Sequence, residues 1–466
     1  MKKNAFYKQA LAVVIGTLIS GALGAASIFD ADEVVDLYQA GAQVRFQGFD
    51  ITSLPDDRFA ATWVEHNIET DLDRVRLARF DQNGHIVGDI LTVSENSAYP
   101  DFGLSEPMVD ASGSGGLVVV WGGGSKMDSS DCRTNVMLGR VGIDDSVSSP
   151  WLASPGYGYS CNPDLSVNQD GWSLVAMSYD IGHGYVYQLS VPEGGGGGHF
   201  LLGSDTNLDI PVAVAIQEGS GQIIWPVIKD GDTVLMVMRH SYFGSEPPRE
   251  PWALDAGIGE GERLYQTFPV LAAGSDGGYA SAWFQSATVN TQKVFSQRIQ
   301  YINADGSAGA SATIGEDSLD VLSGKPDMAG DRNGTFLIGW TVLENGEPRY
   351  RKVTAFDEEG VIDTPAVIVS KGAPGLFDAS ANTRVALNAD LAVAAWYEQA
   401  DGNSGPVLKA RIGSPPKRSD VGQGSGGGGG STGPVSFFGL ALLALRRQLT
   451  YKQTIRHDSE LKGYST

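Results

Sequence analysis

The chain has 466 residues, 61 of them glycine, 42% hydrophobic residues and a formal charge of −22. Acidity on this scale excludes nucleic acid and anionic membrane surfaces as partners, because binding either one rests on Lys and Arg neutralising phosphate. The glycine content, with no sustained heptads, excludes a helical bundle and suits many short strands joined by tight turns.

Residues 1–26 have the layout of a secretory signal peptide: Lys2, Lys3 and Lys8, a mostly apolar run over 10–22, then Gly24, Ala25 and Ala26 at the expected cleavage point. Removing those three lysines and the net-positive stretch after Gly430 leaves about −28, a charge that keeps an exported chain soluble. A short alternating stretch follows at 43–47, before the first full unit.

One unit then recurs: an alternating strand A, a Gly/Asp turn, and an apolar strand B ending in tryptophan. The anchors are Trp63, Trp121, Trp225, Trp283, Trp340 and Trp396, with Ser178 in the place of a seventh. Most steps between anchors are roughly 57 residues, which is the period of an array repeat. Five anchors are preceded by Pro107, Pro163, Pro211, Pro269 or Pro326. Proline has no N–H to donate, so each is expected at the first residue of its A strand. The turns at 114–116, 169–171, 218–219, 276–278 and 333–334 carry glycine for positive φ. A third strand, C, follows each anchor, and three of these lead into a second turn at 80–84, 302–306 or 356–360 before a weaker strand D.

Four antiparallel strands per unit make a propeller blade, and the fold class expected is all-β, a seven-bladed β-propeller over 27–413. The last unit ends after its C strand. The stretch 43–47 has the length to supply the missing outer strand, which would close the ring and leave no open edge. The pattern of Asp-Gly turn, Trp-ended strand, Arg-containing strand and Phe-Asp-x-x-Gly resembles the blade repeat of large secreted bacterial propeller proteins, a likeness of architecture that implies little about activity. The sialidase Asp-box is not matched, since Ala280 stands where its glycine would precede Trp283.

In such blades the B–C and D–A connections share one face. That face is expected to gather Glu65, His66, Asp71, Asp73, Tyr99, Asp101, Asp180 and His183 as a ligand-binding rim. Asp230 and Asp232 are the candidate metal ligands, with calcium the cation that carboxylates of this kind suit. Cys132 and Cys161 fall on the same face. In an exported chain the pair is expected to form one disulfide, contributing about 3 kcal/mol through a loop of roughly 30 residues. Arg79, Arg140, Arg239, Arg298 and Arg411 recur in the C strands, which argues for blade-to-blade pairing over a shared anion site.

After the propeller come a Pro/Gly/Ser-rich linker at 414–433, a short apolar helix with Arg446 and Arg447 over 434–447, and a tail at 448–466. A glycine run ending in Gly429 and Gly430, an apolar helix of about half a bilayer's thickness and an arginine pair together resemble the GlyGly-CTERM sorting tag. That resemblance implies signal peptidase and a rhomboid-type sorting protease as partners. It also implies membrane contact only through the transient helix, and delivery to the surface or outer membrane of a Gram-negative cell, or release from it. The family's tag ends just after its basic cluster, whereas this chain continues to Thr466. The function expected is a binding module for a glycan or an envelope protein. The alternatives are an extracellular polysaccharide hydrolase or lyase using loop carboxylates, and a structural surface protein.

Overall fold

The computed structural model describes residues 28–415 except for short stretches, the longer of which are 96–101, 126–133, 193–197, 242–249, 255–263, 317–321, 361–365, 372–381 and 399–403. The chain divides into two units, 1–416 and 417–466, and the described residues all belong to the first. The signal peptide, the sorting tag with Gly429, Gly430, Arg446 and Arg447, and the tail lie outside the described residues. So does Cys132, and with it the expected bridge to Cys161. Among the described residues no helix is long and apolar enough to cross a membrane.

The described elements are 28 strands. An N-terminal strand β1 (Val35–Gln39) precedes the first repeat, β2 (Val44–Ser53), β3 (Phe59–Asn67), β4 (Leu72–Phe80) and β5 (Ile86–Glu95). Next come β6 (Phe102–Ala111), β7 (Leu117–Ser125), β8 (Thr134–Val141) and β9 (Trp151–Leu152), then β10 (Tyr159–Val167), β11 (Ser173–Asp180), β12 (Gly184–Val191) and β13 (Gly198–Leu202). They are followed by β14 (Ala213–Gln217), β15 (Ser220–Lys229), β16 (Asp232–Ser241) and β17 (Trp252–Ala253), then β18 (Leu264–Ala273), β19 (Tyr279–Val289), β20 (Gln292–Ile302) and β21 (Ala308–Glu316). The last repeats are β22 (Leu322–Gly330), β23 (Thr335–Glu344), β24 (Glu347–Asp357) and β25 (Val367–Lys371), and β26 (Arg384–Leu387), β27 (Ala392–Glu398) and β28 (Val407–Gly413).

Hydrogen bonding gathers these strands into five sheets, three of four strands and two of eight, and the whole is an all-β propeller. Each eight-stranded sheet is two repeats joined through one residue pair, Ser160 with Thr134 in one and Thr233 with Tyr265 in the other. The ring is closed from the N terminus by β1, which pairs antiparallel with β28 from Val35 opposite Ala410 to Gln39 opposite Val407. This corrects the closing segment: residues 44–47 belong to β2, the inner strand of the first repeat, where Val44 pairs with Asn67.

The prolines hold a second correction. Pro107, Pro163, Pro269 and Pro326 lie inside β6, β10, β18 and β22, each where the pairing register slips, between Ser105 and Met108, Cys161 and Asp164, Thr267 and Val270, and Ser323 and Asp327. A bulge leaves one N–H unpaired, so proline costs the ladder nothing there. Only Pro211 precedes its strand. The turn glycines behave as their residue type dictates, with φ of 87°, 79°, 89° and 77° at Gly115, Gly171, Gly277 and Gly334.

The tryptophans are core, but they do not end their strands: β3, β7 and β15 each run four residues past the anchor. Each Trp packs toward the preceding repeat. Trp121 lies with Leu54, Val64 and Leu77 of the first repeat, and Trp63 with Leu37, Tyr397 and Leu408 of the closing sheet. Where Ser178 replaces Trp, Met177 joins the corresponding cluster and Trp151 of β9 packs against it. Three of the C-strand arginines reach a neighbouring repeat: Arg79 donates to Gly142 O at 2.8 Å and to Asp145 at 3.0 Å, Arg140 to Ser173 at 3.2 Å, and Arg411 to Val369 O at 2.8 Å, whereas Arg298 donates to Thr313 of its own repeat at 2.9 Å.

Candidate functional site

Of the expected rim, the structure describes Glu65, His66, Asp71, Asp73 and Asp180. Because β3 continues past Trp63, Glu65 is buried inside the strand, where it accepts hydrogen bonds from Trp63 Nε1 at 3.0 Å and from Tyr38 Oη at 2.7 Å. Arg76 stands 3.7 Å away. Glu65 therefore fastens β1 to the first repeat, and burial, then this carboxylate, raises the Tyr38 pKa above its ordinary value. His66 Nδ1 lies 2.6 Å from the buried Asp73 Oδ1 across the β3–β4 pair. Asp71 is 68% exposed in the hairpin loop at φ 52°. Asp230 and Gly231, at φ 54° and 86°, form the two-residue turn between Lys229 and Asp232, which accounts for Asp-Gly there by turn chemistry. Among the described residues no group of three His, Cys, Asp or Glu converges as a metal site. Asp180 ends β11 opposite Gly184, Cys161 pairs with Ser178, and Tyr99, Asp101 and His183 lie outside the described residues.

Replacing Glu65 by Ala strands the buried Trp63 N–H and the half-buried Tyr38 hydroxyl, so it should cost about 2–4 kcal/mol. Thermal unfolding measures this, and ligand binding should be unchanged.

A cavity formed by described residues lies elsewhere. It has a volume of about 880 Å³ and is walled by the inner strands of successive repeats, from Asp50 in β2 through Val109, Leu165, Ala215, Leu271 and Met328 to Ala386 in β26. It runs to the A–B turns at Pro55, Gly113, Gln169, Glu218, Ser275 and Asn388, on the face opposite the expected rim. Asp50, Asp110, Asp164, Asp327 and Asp331 bring carboxylates to its wall, and Asp57, Glu218 and Asp390 add more at the turns, against Arg239 as the one cation among the described lining residues.

Four of these aspartates each stitch one inner strand to the next. Asp50 accepts the Val109 N–H at 2.9 Å, Asp110 that of Val167 at 2.6 Å, Asp164 that of Val214 at 2.8 Å, and Asp327 that of Val385 at 2.6 Å. The inner strand has no further strand on its channel side, so its orphan N–H groups need such acceptors. At the junction of last and first repeats, Arg384 donates to Phe49 O at 3.2 Å and lies 3.6 Å from Asp50 and 3.4 Å from Asp327. Burial pushes Asp50 up to about 7 against the pull of Arg384, with Asp327 adding to the rise. Burial likewise pushes Asp110 up to about 6 despite the N–H and hydroxyl donors around it.

Sequence reasoning passed over these carboxylates, although a signal was present. Asp164 and Asp327 directly follow the bulge prolines, and Asp110 follows Pro107 by three residues. An acidic residue recurring on an apolar inner strand is costly unless something binds it.

No protein-family model matches the sequence, and no curated protein does at a significant level. Among solved structures the chain is similar to a Dyadobacter fermentans protein of unknown function, at 11% identity over 68% of this chain and 96% of that one, with a TM-score of 0.46. It is similar to an α-L-arabinanase of Penicillium chrysogenum complexed with arabinobiose, at 11% identity over 81% and 97% of the two chains, with a TM-score of 0.43. A polysaccharide lyase of a family named for ulvan lyase matches at 10% identity over 80% and 95%, with a TM-score of 0.46. The propeller assignment rests on the strand pairing and ring closure described above, independently of these likenesses.

Proposed function

We propose that the chain is an exported, surface-sorted propeller of seven blades that acts as a binding module, taking a neutral glycan or a segment of an envelope protein into its central channel. Support for the blade count comes from the core. Seven hydrophobic clusters each bridge two neighbouring repeats, and one of them bridges the last to the first. The single-pair junctions inside the eight-stranded sheets are natural blade boundaries. Export and sorting rest on the signal-like start and the GlyGly-CTERM-like end.

The observation that carries the binding reading is the 880 Å³ cavity, of a size that takes a small oligosaccharide or a few residues of peptide. Its carboxylates and open peptide groups are hydrogen-bond acceptors suited to sugar hydroxyls and peptide N–H groups, and its charge repels anions. A second reading, a polysaccharide hydrolase or lyase, is favoured by Asp110, whose raised pKa beside Asp164 suits a general acid. Both carboxylates already hold a neighbouring N–H, which weighs toward binding over turnover.

Ala389 is exposed at the channel mouth, so Ala389→Trp narrows the entrance without touching the core. Titration calorimetry of the purified protein with a panel of neutral oligosaccharides and cell-envelope peptides should show affinity reduced at least tenfold by this change, about 1.4 kcal/mol. Neutralising Asp71 and Asp180 together on the opposite face should leave it unaltered. The reverse pattern would return the site to the loop face. Release of reducing ends, abolished by Asp110→Asn, would establish the hydrolase.

A further inference from the structure

We infer that the channel is two-sided: the inner strands β18 and β22, with Arg239, form a hydrogen-bond donor sector that takes a carboxylate. Resting on the binding reading above, this makes the ligand a mostly neutral glycan that carries one uronate. Asp50, Asp164 and Asp327 share one register, opposite Thr62, Ala176 and Gly339, and each caps an N–H of the following inner strand. In β14 and β18 that register falls to Ala213 and Val270, opposite Ile224 and Ala282. Neither side chain has an oxygen to offer.

The N–H groups that lack a capping carboxylate as a result are those of Leu271 and Met328. These two pair with Ser281 and Ile338, two residues before their tryptophans, as Val109, Val214 and Val385 pair with Val119, Ile223 and Ala394. They therefore turn the same N–H toward the channel, without the aspartate that holds it in the other strands. Both residues line the cavity.

Arg239 gives this sector its charge. Arg79, Arg140 and Arg239 each sit opposite the third residue before Trp63, Trp121 and Trp225. Arg79 and Arg140 donate to the turns of the next repeat, at Gly115 O and Gly171 O. Arg239 makes no hydrogen bond or ion pair with a described residue, and it lines the cavity. Across the strand pair, and against the same Gly306, lies Gln222, which is fully buried with neither end of its amide bonded. A guanidinium and an amide with this much unused donor capacity suit an anionic, oxygen-rich group. The carboxylates of the other walls keep lone pairs for sugar hydroxyls, of which a sugar presents several per residue against the single N–H of a peptide unit. A run of uronates would meet those carboxylates and be repelled, so one acidic sugar fits and a polyuronate does not.

Saturation-transfer NMR on the purified protein tests this, with glucose, glucuronate and a glycine-aspartate-glycine peptide as probes. Glucuronate should bind at least tenfold more tightly than glucose. Arg239→Gln should bring the two sugars level, and Val270→Asp, which supplies Met328 with the missing carboxylate, should do the same without weakening glucose. Equal affinity for both sugars in the native protein, or a preference that survives Arg239→Gln, would overturn the donor sector; the channel reading would stand if Ala389→Trp still weakened glucose binding. A preference that survives Val270→Asp would overturn the part given to the Met328 N–H. Tighter binding of the peptide would overturn the glycan. Failure of all three probes to bind, or sugar binding insensitive to Ala389→Trp, would overturn the channel reading itself. Should Val270→Asp fail to fold, Arg239→Gln decides alone, since the Arg239 side chain ties no described residue in place.

Discussion

Deleting residues 33–40 should lower the unfolding temperature of the whole propeller by ten degrees or more, with the transition remaining a single cooperative step. The deletion removes the β1–β28 ladder and the buried Leu37. It also removes Tyr38, whose ring stands 4.9 Å from that of Trp63 and whose hydroxyl holds Glu65. Gln39, which donates to Gly405 O at 2.7 Å, is lost as well. Losing the burial of Leu37 and Tyr38 costs about 2 kcal/mol each, and exposing the β28 edge and the Trp63 face adds to that. Calorimetry of the intact and trimmed proteins gives the answer. An unchanged midpoint, with protection lost in β28 alone, would mean that the repeats form an open array.

The second large effect is expected at Arg384. Arg384→Met removes the cation from a buried site and leaves Asp50 and Asp327 facing each other, a loss of about 3–5 kcal/mol at pH 8. Burial and the charge of Asp327 would then push the Asp50 carboxyl further up, so the penalty should shrink at pH 5, where a proton replaces the missing charge. Asp327→Asn in the same chain should recover part of the loss, and a double-mutant cycle by chemical denaturation measures how much. Equal penalties at both pH values would show that Arg384 acts through packing of its stem.

Much of the architecture was legible because it is written in local terms. Tryptophans at a fixed step and glycines at turns that need positive φ each report on a few neighbouring residues. The closing strand was not. Residues 35–39 and 43–47 alternate equally well, and what separates them is the partner, β28, at the far end of the chain. The surroundings of Glu65, His66 and Asp73 were misread for a related reason. Taking Trp63 as the end of its strand turned Glu65, His66 and Asp73 into loop residues, whereas β3 and β4 continue and pair them inward. The inner-strand aspartates were hidden because each looks like an isolated acid in its own repeat. Their purpose appears only when the neighbouring repeat presents an unpaired N–H, about 57 residues on in sequence.

Closure from the N terminus also sets the order of events in folding. Gln39 meets Gly405 across 366 residues of chain, and Ile28 and Phe29 are buried among side chains of the last two repeats. The earliest-made segment of the propeller therefore waits for the latest. Contacts of such separation carry the greatest loop-closure entropy and form after the local hairpins. Interactions absent from the transition state slow escape from the native basin without speeding entry into it. The β1 seam is thus a device for persistence in time: it leaves the rate of assembly as it is and slows the coming apart of the propeller.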